Sequence, residues 1–175
     1  MKAVIDTNVL LVANGLHEDI SPDCVIECVK RLHDMQQRGI TVIDDGFRIL
    51  GEYQNKTSLN PARGPGDLFL KWLLRESGSK KVEQVTLNEN TKNCFAEFPD
   101  PALEQLFDAP DRKFAAVAHA HPHKPSIWQA ADCKWLDWWP ALQAKGVEVD
   151  FLCADDVCKF YCNKFPEKPI PQLPG

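Results

Sequence analysis

No stretch of this chain approaches the roughly 20 consecutive apolar residues a bilayer-spanning helix needs, which excludes a helical membrane anchor among its residues. It has no excess of positive charge: 20 Lys and Arg stand against 25 Asp and Glu, a net charge of −5. A protein that wraps duplex nucleic acid by charge alone is basic, so that class is disfavoured. Cys-x-x-Cys is absent. The seven cysteines are odd in number, and the opening Met-Lys-Ala-Val-Ile-Asp places an acid where a secretory signal runs apolar. The expectation is an intracellular, cytoplasmic protein without a disulfide framework. Its cysteines, including the pairs Cys24/Cys28 and Cys158/Cys162, should then be free thiols on helix faces rather than zinc ligands.

With 175 residues and 44% apolar content, the chain can bury the core of one domain. Ala3-Val4-Ile5 is a short apolar run of the kind found in buried parallel strands, followed by a short helix from Thr7-Asn8. Ser21-Pro22 marks a helix start, and Cys24, Val25, Cys28, Val29, Leu32 and Met35 form one apolar face up to Gly39. Ile40 to Ile43 is a second strand, and a helix through Phe47 to Tyr53 carries Glu52. Residues 57–66 read as a loop, with Asp67 capping a helix that Gly78 ends.

Residues 80–99 carry a poor signal, in which Val82, Val85 and Leu87 suggest a strand or an ordered loop. Helices follow at 101–107 and after Asp108-Ala109-Pro110-Asp111, then a third strand over 125–131 ending at Asp132. A helix over 137–144, a fourth strand over 147–152 and a helix over 154–164 complete the pattern. Strands alternating with helices predict an α/β fold, a three-layer sandwich with a central, mainly parallel sheet. The expected organisation is one domain over 1–165, an insertion around 56–93, and a mobile Pro-rich tail over 166–175.

Ligand sites in such sheets lie beyond the carboxyl ends of the strands. Asp6 and Asp132 each follow an apolar run at that edge, and Glu52 sits inside a helix beyond capping reach. Asp44 and Asp108 fit ordinary helix caps better. Hydrolysis of a phosphodiester at neutral pH is served by two divalent cations about 4 Å apart, and magnesium and manganese prefer carboxylate oxygens.

Four segments carry a resemblance in order along the chain. Ala3-Val4-Ile5-Asp6-Thr7-Asn8 resembles the opening of PIN-like nuclease domains. Val42-Ile43-Asp44-Asp45 with the Glu52 helix is similar to their second strand and second acid. Asp111-Arg112-Lys113-Phe114-Ala115-Ala116 is similar to their third, and Ile127 to Trp135 to the strand delivering the fourth at Asp132. The resemblance implies a Mg2+- or Mn2+-dependent endoribonuclease, either a toxin or defence effector or an RNA-processing enzyme. Asp6, Glu52, Asp111 and Asp132 would be both catalytic and metal ligands, and Asn8 would position substrate or a ligand carboxylate. Apart from the resemblance, Arg112 and Lys113 flank Asp111 and are expected to contact substrate phosphate, or else to be ordinary helix surface charge. Expected partners are RNA, an antitoxin or ATPase, and a second copy of the chain.

The chain departs from the family pattern at Ala130-Ala131, where a Thr-Asn pair is common, and at Lys134, where a further acid often stands. Two alternatives therefore stay open: a catalytically weak module that binds RNA or protein, and a structure-specific DNA nuclease. The basic run from Lys56 through Arg63, Lys71, Arg75 and Lys80 to Lys81 suggests a substrate or partner surface. His119, His121 and His123 read as an exposed loop, with His119 within reach of a substrate phosphate. Trp135, Trp138 and Trp139 read as a core stripe rather than a base-stacking platform.

Overall fold

The computed structural model describes residues 1–175, and strands form at the four predicted places. The elements in chain order are β1 (Lys2–Ile5), α1 (Thr7–Ala13), α2 (Pro22–Arg38), β2 (Ile40–Asp44), α3 (Arg48–Lys56), α4 (Pro65–Glu76) and β3 (Val82–Val85). They continue with β4 (Glu89–Thr91), β5 (Cys94–Phe95), α5 (Pro101–Leu106), a single 3-10 turn (Ala109–Asp111) and α6 (Arg112–Ala120). Last come β6 (Ser126–Gln129), α7 (Trp135–Ala144), β7 (Val149–Phe151) and α8 (Ala154–Lys164).

Five strands form one sheet in the order β3-β2-β1-β6-β7, every neighbouring pair parallel, flanked by helices. The chain builds outward from β1 through β2 to β3, then returns to the other side of β1 to lay down β6 and β7. The reversal leaves β1 and β6 side by side, with Ile5 level with Trp128. A crevice opens beyond the carboxyl ends of strands at such a reversal, and Asp6 and Asp132 follow these two strands. Ala3, Val4 and Ile5 are fully buried there. Burying each large aliphatic side chain stabilises the fold by about 1.5–3 kcal/mol.

Several expectations need correction. The segment 56–93, expected as an insertion of uncertain structure, is ordered into the main fold: α4 buries Phe69, Leu70 and Leu73 against α1 and α2, and β3 is the sheet's edge strand. The α4 contact with α1 is close enough that a Cβ on Gly66 would lie 2.2 Å from the Leu10 carbonyl oxygen, so glycine is required. Asp67 does not cap α4; it lies within the helix, 2% exposed. Its carboxylate accepts hydrogen bonds from Ser58 N (3.0 Å), Arg63 N (2.8 Å) and Asn14 Nδ2 (2.9 Å). Residues 80–99 hold both β3 and a small antiparallel pair, β4 with β5. Lys81 does not join a basic surface, because its ammonium donates to the carbonyls of Gln36 and Gln37 at the end of α2.

A disulfide joins Cys24 to Cys153, against the expectation of free thiols, because the start of α2 abuts the junction of β7 and α8. Cys28, Cys94, Cys133, Cys158 and Cys162 are free, and Cys162 is exposed. His121 is buried rather than exposed, its Nε2 2.5 Å from Glu83 Oε2. His119 Nδ1 pairs with the Glu97 carbonyl, away from the acids. Trp135 and Trp138 are core residues packed on Phe107, as their spacing predicts. The tail over 166–175 makes contacts with the body of the fold: Trp139 Nε1 donates to the Gln172 carbonyl, and Leu173 packs against the cluster of Cys133, Leu136, Val157 and Tyr161.

Candidate active site

Asp6 leaves β1 and caps α1, its Oδ1 accepting from Asn8 N at 2.9 Å. Asp132 stands three residues past β6, where Lys134 N donates to its Oδ1 at 3.1 Å. Glu52 comes from the middle of α3, a helix tied to the sheet by the Tyr53 hydroxyl donating to the Ile5 carbonyl. Asp111 ends the 3-10 turn that leads into α6, whose small residues Ala115, Ala116 and Ala118 let it pack tightly against the sheet. Four elements distant in sequence thus deliver the four predicted acids to one cavity of about 520 Å³. Thr7, Asn8 and Asp108 also line it, and Lys56, Lys134, Lys164 and His17 bring the cationic or ionisable groups.

The electrostatics follow from burial and crowding. Asp6 is 4% exposed, and burial, augmented by the charges of Asp132 and Glu52, pushes its pKa up to about 7. The Asn8 N–H and the Gln129 carboxamide oppose that rise. Asp111 is pushed further, to about 8, by burial first and then by Asp6, Asp132, Asp108 and Glu52. Asp132 is raised too, chiefly by burial. Asp6 Oδ2 is buried and has no hydrogen-bond partner. An unpaired buried carboxylate oxygen among other acids is a place where a cation would lower the free energy.

The donor set is hard oxygen throughout, which fits magnesium or manganese rather than a thiophilic metal. No three of these carboxylates bring an oxygen within 4.8 Å of one another; that closeness occurs only in a cysteine cluster elsewhere. The four carboxylates line one cavity without forming a close ligand cluster of that kind.

The three predicted substrate contacts fare differently. Asn8 lines the cavity, but both ends of its amide are occupied. Its Nδ2 donates to Gln129 Oε1, and its Oδ1 accepts from Ala130 N (2.9 Å) and Ala131 N (3.4 Å). It fastens the end of β6 to α1 and so positions the Asp132 loop. Arg112 points away from the acids: its guanidinium donates to the Asn93 and Phe107 carbonyls and approaches Cys94 Sγ at 3.5 Å. Its role is to hold the β4–β5 hairpin region to α6, which corrects the substrate assignment.

Lys113 is at the site, but as a partner of an acid. Its ammonium lies 2.9 Å from Glu52 Oε1 and 2.5 Å from the Pro110 carbonyl, while the Thr7 hydroxyl holds the other Glu52 oxygen. Lys134 pairs with Asp108 at 2.6 Å. Asp108 caps no helix through its side chain and faces the cavity instead. Thr7 and Gln129 were not foreseen, and only Thr7, next to Asp6, carried a signal that spacing could have offered. No known protein family, no curated protein and no solved structure matches this chain.

Proposed function

We propose that this chain is a PIN-like, divalent-metal-dependent endonuclease that hydrolyses phosphodiester bonds in RNA, with the acid-lined cavity as its active site. The observation that carries the reading is the buried, partnerless Asp6 oxygen in a cavity that also holds Glu52, Asp111 and Asp132. The Asn8 N–H and the Gln129 carboxamide offset the cost of that carboxylate only in part, and the neighbouring acids raise it. Divalent ions bound there would supply Lewis acidity and a water acidic enough to attack phosphorus.

The protein's own share is arrangement. Asp6, Asp111, Asp132 and Glu52 would hold the cations, with Thr7 orienting Glu52 and Asn8 holding the Asp132 loop in place. Lys56 and Lys164 at the rim would meet the flanking phosphates, which gives an acidic protein a local positive border. An antitoxin, an ATPase or a second copy of the chain would act as regulator in this proposal.

The purified chain with Mg2+ or Mn2+ is expected to cut single-stranded RNA into internal fragments. Asp6→Asn and Asp111→Asn should each lower the rate on the order of 100-fold or more while the protein stays folded. Cleavage that survives both substitutions sinks the assignment. A second reading, a binding module without turnover, draws on the two ammonium groups already paired with site acids, Lys113 with Glu52 and Lys134 with Asp108. It prevails if the wild type cuts neither RNA nor DNA with either metal yet retains RNA in a filter-binding assay. Cleavage of DNA alone would favour the structure-specific DNA nuclease.

A further inference from the structure

Three buried sulfurs meet at the start of α2. Cys24 and Cys28 lie one turn apart on the helix's buried face, and Cys153 arrives from the junction of β7 and α8, 129 residues from Cys24. Cys28 Sγ is 4.0 Å from Cys153 Sγ, and all three sulfurs lie within 4.8 Å of one another. In a tetrahedral zinc site with bonds of about 2.3 Å, neighbouring sulfurs stand roughly 3.8 Å apart. The Cys28–Cys153 edge therefore already has the needed length. Only the Cys24–Cys153 edge is shorter, because those two are bonded.

One further feature points to a cation. A cavity of about 620 Å³ is lined by Cys24 and Cys153 and bordered by Asp19, Asp23 and Asp155, opposed by Lys159. Acids at the mouth and sulfur in the wall favour a cation that is drawn in by charge and retained by soft donors. The frame also has a fastening that does not depend on the disulfide. Asp156, in the first turn of α8, accepts from Ser21 N (2.8 Å) and Ser21 Oγ (2.7 Å) at the start of α2.

We propose that Cys24, Cys28 and Cys153 form a zinc site in the reduced protein, with the fourth position open to water from the cavity. The disulfide is the alternative, oxidised state of the same sulfurs. A dithiol reductant converts the Cys24–Cys153 bond to two thiols with two electrons and two protons, and is itself oxidised to its disulfide. Zinc then replaces the three thiol protons and is bound as a trithiolate. In either state α2 stays joined to the start of α8, the helix that lends Phe160 and Lys164 to the wall of the acidic cavity.

The test uses the full chain, reduced with a phosphine and titrated with Zn2+ against a chromophoric chelator in excess Mg2+. One equivalent should bind, with a zinc absorption edge showing three sulfur neighbours at about 2.3 Å. Cys28→Ser should weaken binding roughly tenfold or more and reduce the sulfur count, while Asp111→Asn changes neither. Wild type with the disulfide intact should lose the three-sulfur shell, a comparison that needs no substitution. An oxygen- and nitrogen-only shell, or a sulfur shell unchanged in Cys28→Ser, overturns the proposal. The outcome is independent of any nuclease activity.

Discussion

Asp67 and Asp6 are both almost completely buried carboxylates next to α1, and their surroundings differ in kind. Burial works to raise the Asp67 pKa, but the N–H groups of Ser58 and Arg63 and the Asn14 amide outweigh it, and the pKa is lowered. Asp6 has one backbone donor, a bare second oxygen and acids for neighbours, and its pKa is raised. A carboxylate buried for architecture is enclosed by donors that leave nothing to bind. One left short of donors in a cavity is costly to ionise, and such perturbed groups concentrate where a fold serves something other than its own stability.

The contrast breaks most readily at Asp67. Asp67→Ala leaves the Ser58 and Arg63 N–H groups without their acceptor, and should cost about 2–3 kcal/mol in chemical denaturation. Added Mg2+ should not specifically compensate that loss. In the wild type, by comparison, Mg2+ or Mn2+ at a hundred times its dissociation constant should add about 2.7 kcal/mol of stability. The same addition to Asp111→Asn should give far less; equal stabilisation of both proteins would mean the cation binds elsewhere.

The dependence on pH should also divide the two carboxylates. Asp6 and Asp111 keep protons in the folded state up to about 7 and 8, above their ordinary value of 3.8. The folded protein therefore binds more protons over that window, and metal-free stability should fall as pH rises from about 4 to about 8. Asp67 runs the other way: its contribution is complete above the ordinary carboxylate range and is lost as pH falls through its lowered folded value. Thermal melts of Asp111→Asn should show a flatter decline toward pH 8 than the wild type; superimposable profiles would remove Asp111 from the account.

The smallest effect concerns Lys113, whose ammonium occupies a Glu52 oxygen that a cation would use. Lys113→Met should strengthen Mg2+ binding by no more than about fivefold, the scale of a partly exposed ion pair, read by calorimetry. Weaker binding instead would make Lys113 a positioning residue that holds Glu52 in place.

Much of the fold was legible in the residues. Strands β1, β2 and β6 are built around short apolar runs, β7 lies within the apolar-flanked segment 147–152, and Ser21-Pro22 opens α2 where capping chemistry requires. The edge strand β3 is only weakly marked in the sequence, because an edge strand needs fewer apolar residues and its Glu83 and Gln84 dilute the pattern. Asp67 misled because an acid near a helix start is usually a cap; the partners that bury it come from Asn14 and from the loop at 58–63. Arg112 misled because adjacency to Asp111 in sequence says nothing of direction around a helix.

Local chemistry alone determined which segments become strands and helices, since backbone preference and the period of apolar residues act over a few neighbours. It also placed acids at the strand ends. Tertiary structure decided what those acids and the cysteines face, since a carboxylate's pKa and a thiol's partner depend on groups up to 129 residues away. Only the reversal of strand order beside β1 brings Asp6, Glu52, Asp111 and Asp132 around one cavity, and only the packing of α2 against α8 makes three separate cysteines a cluster.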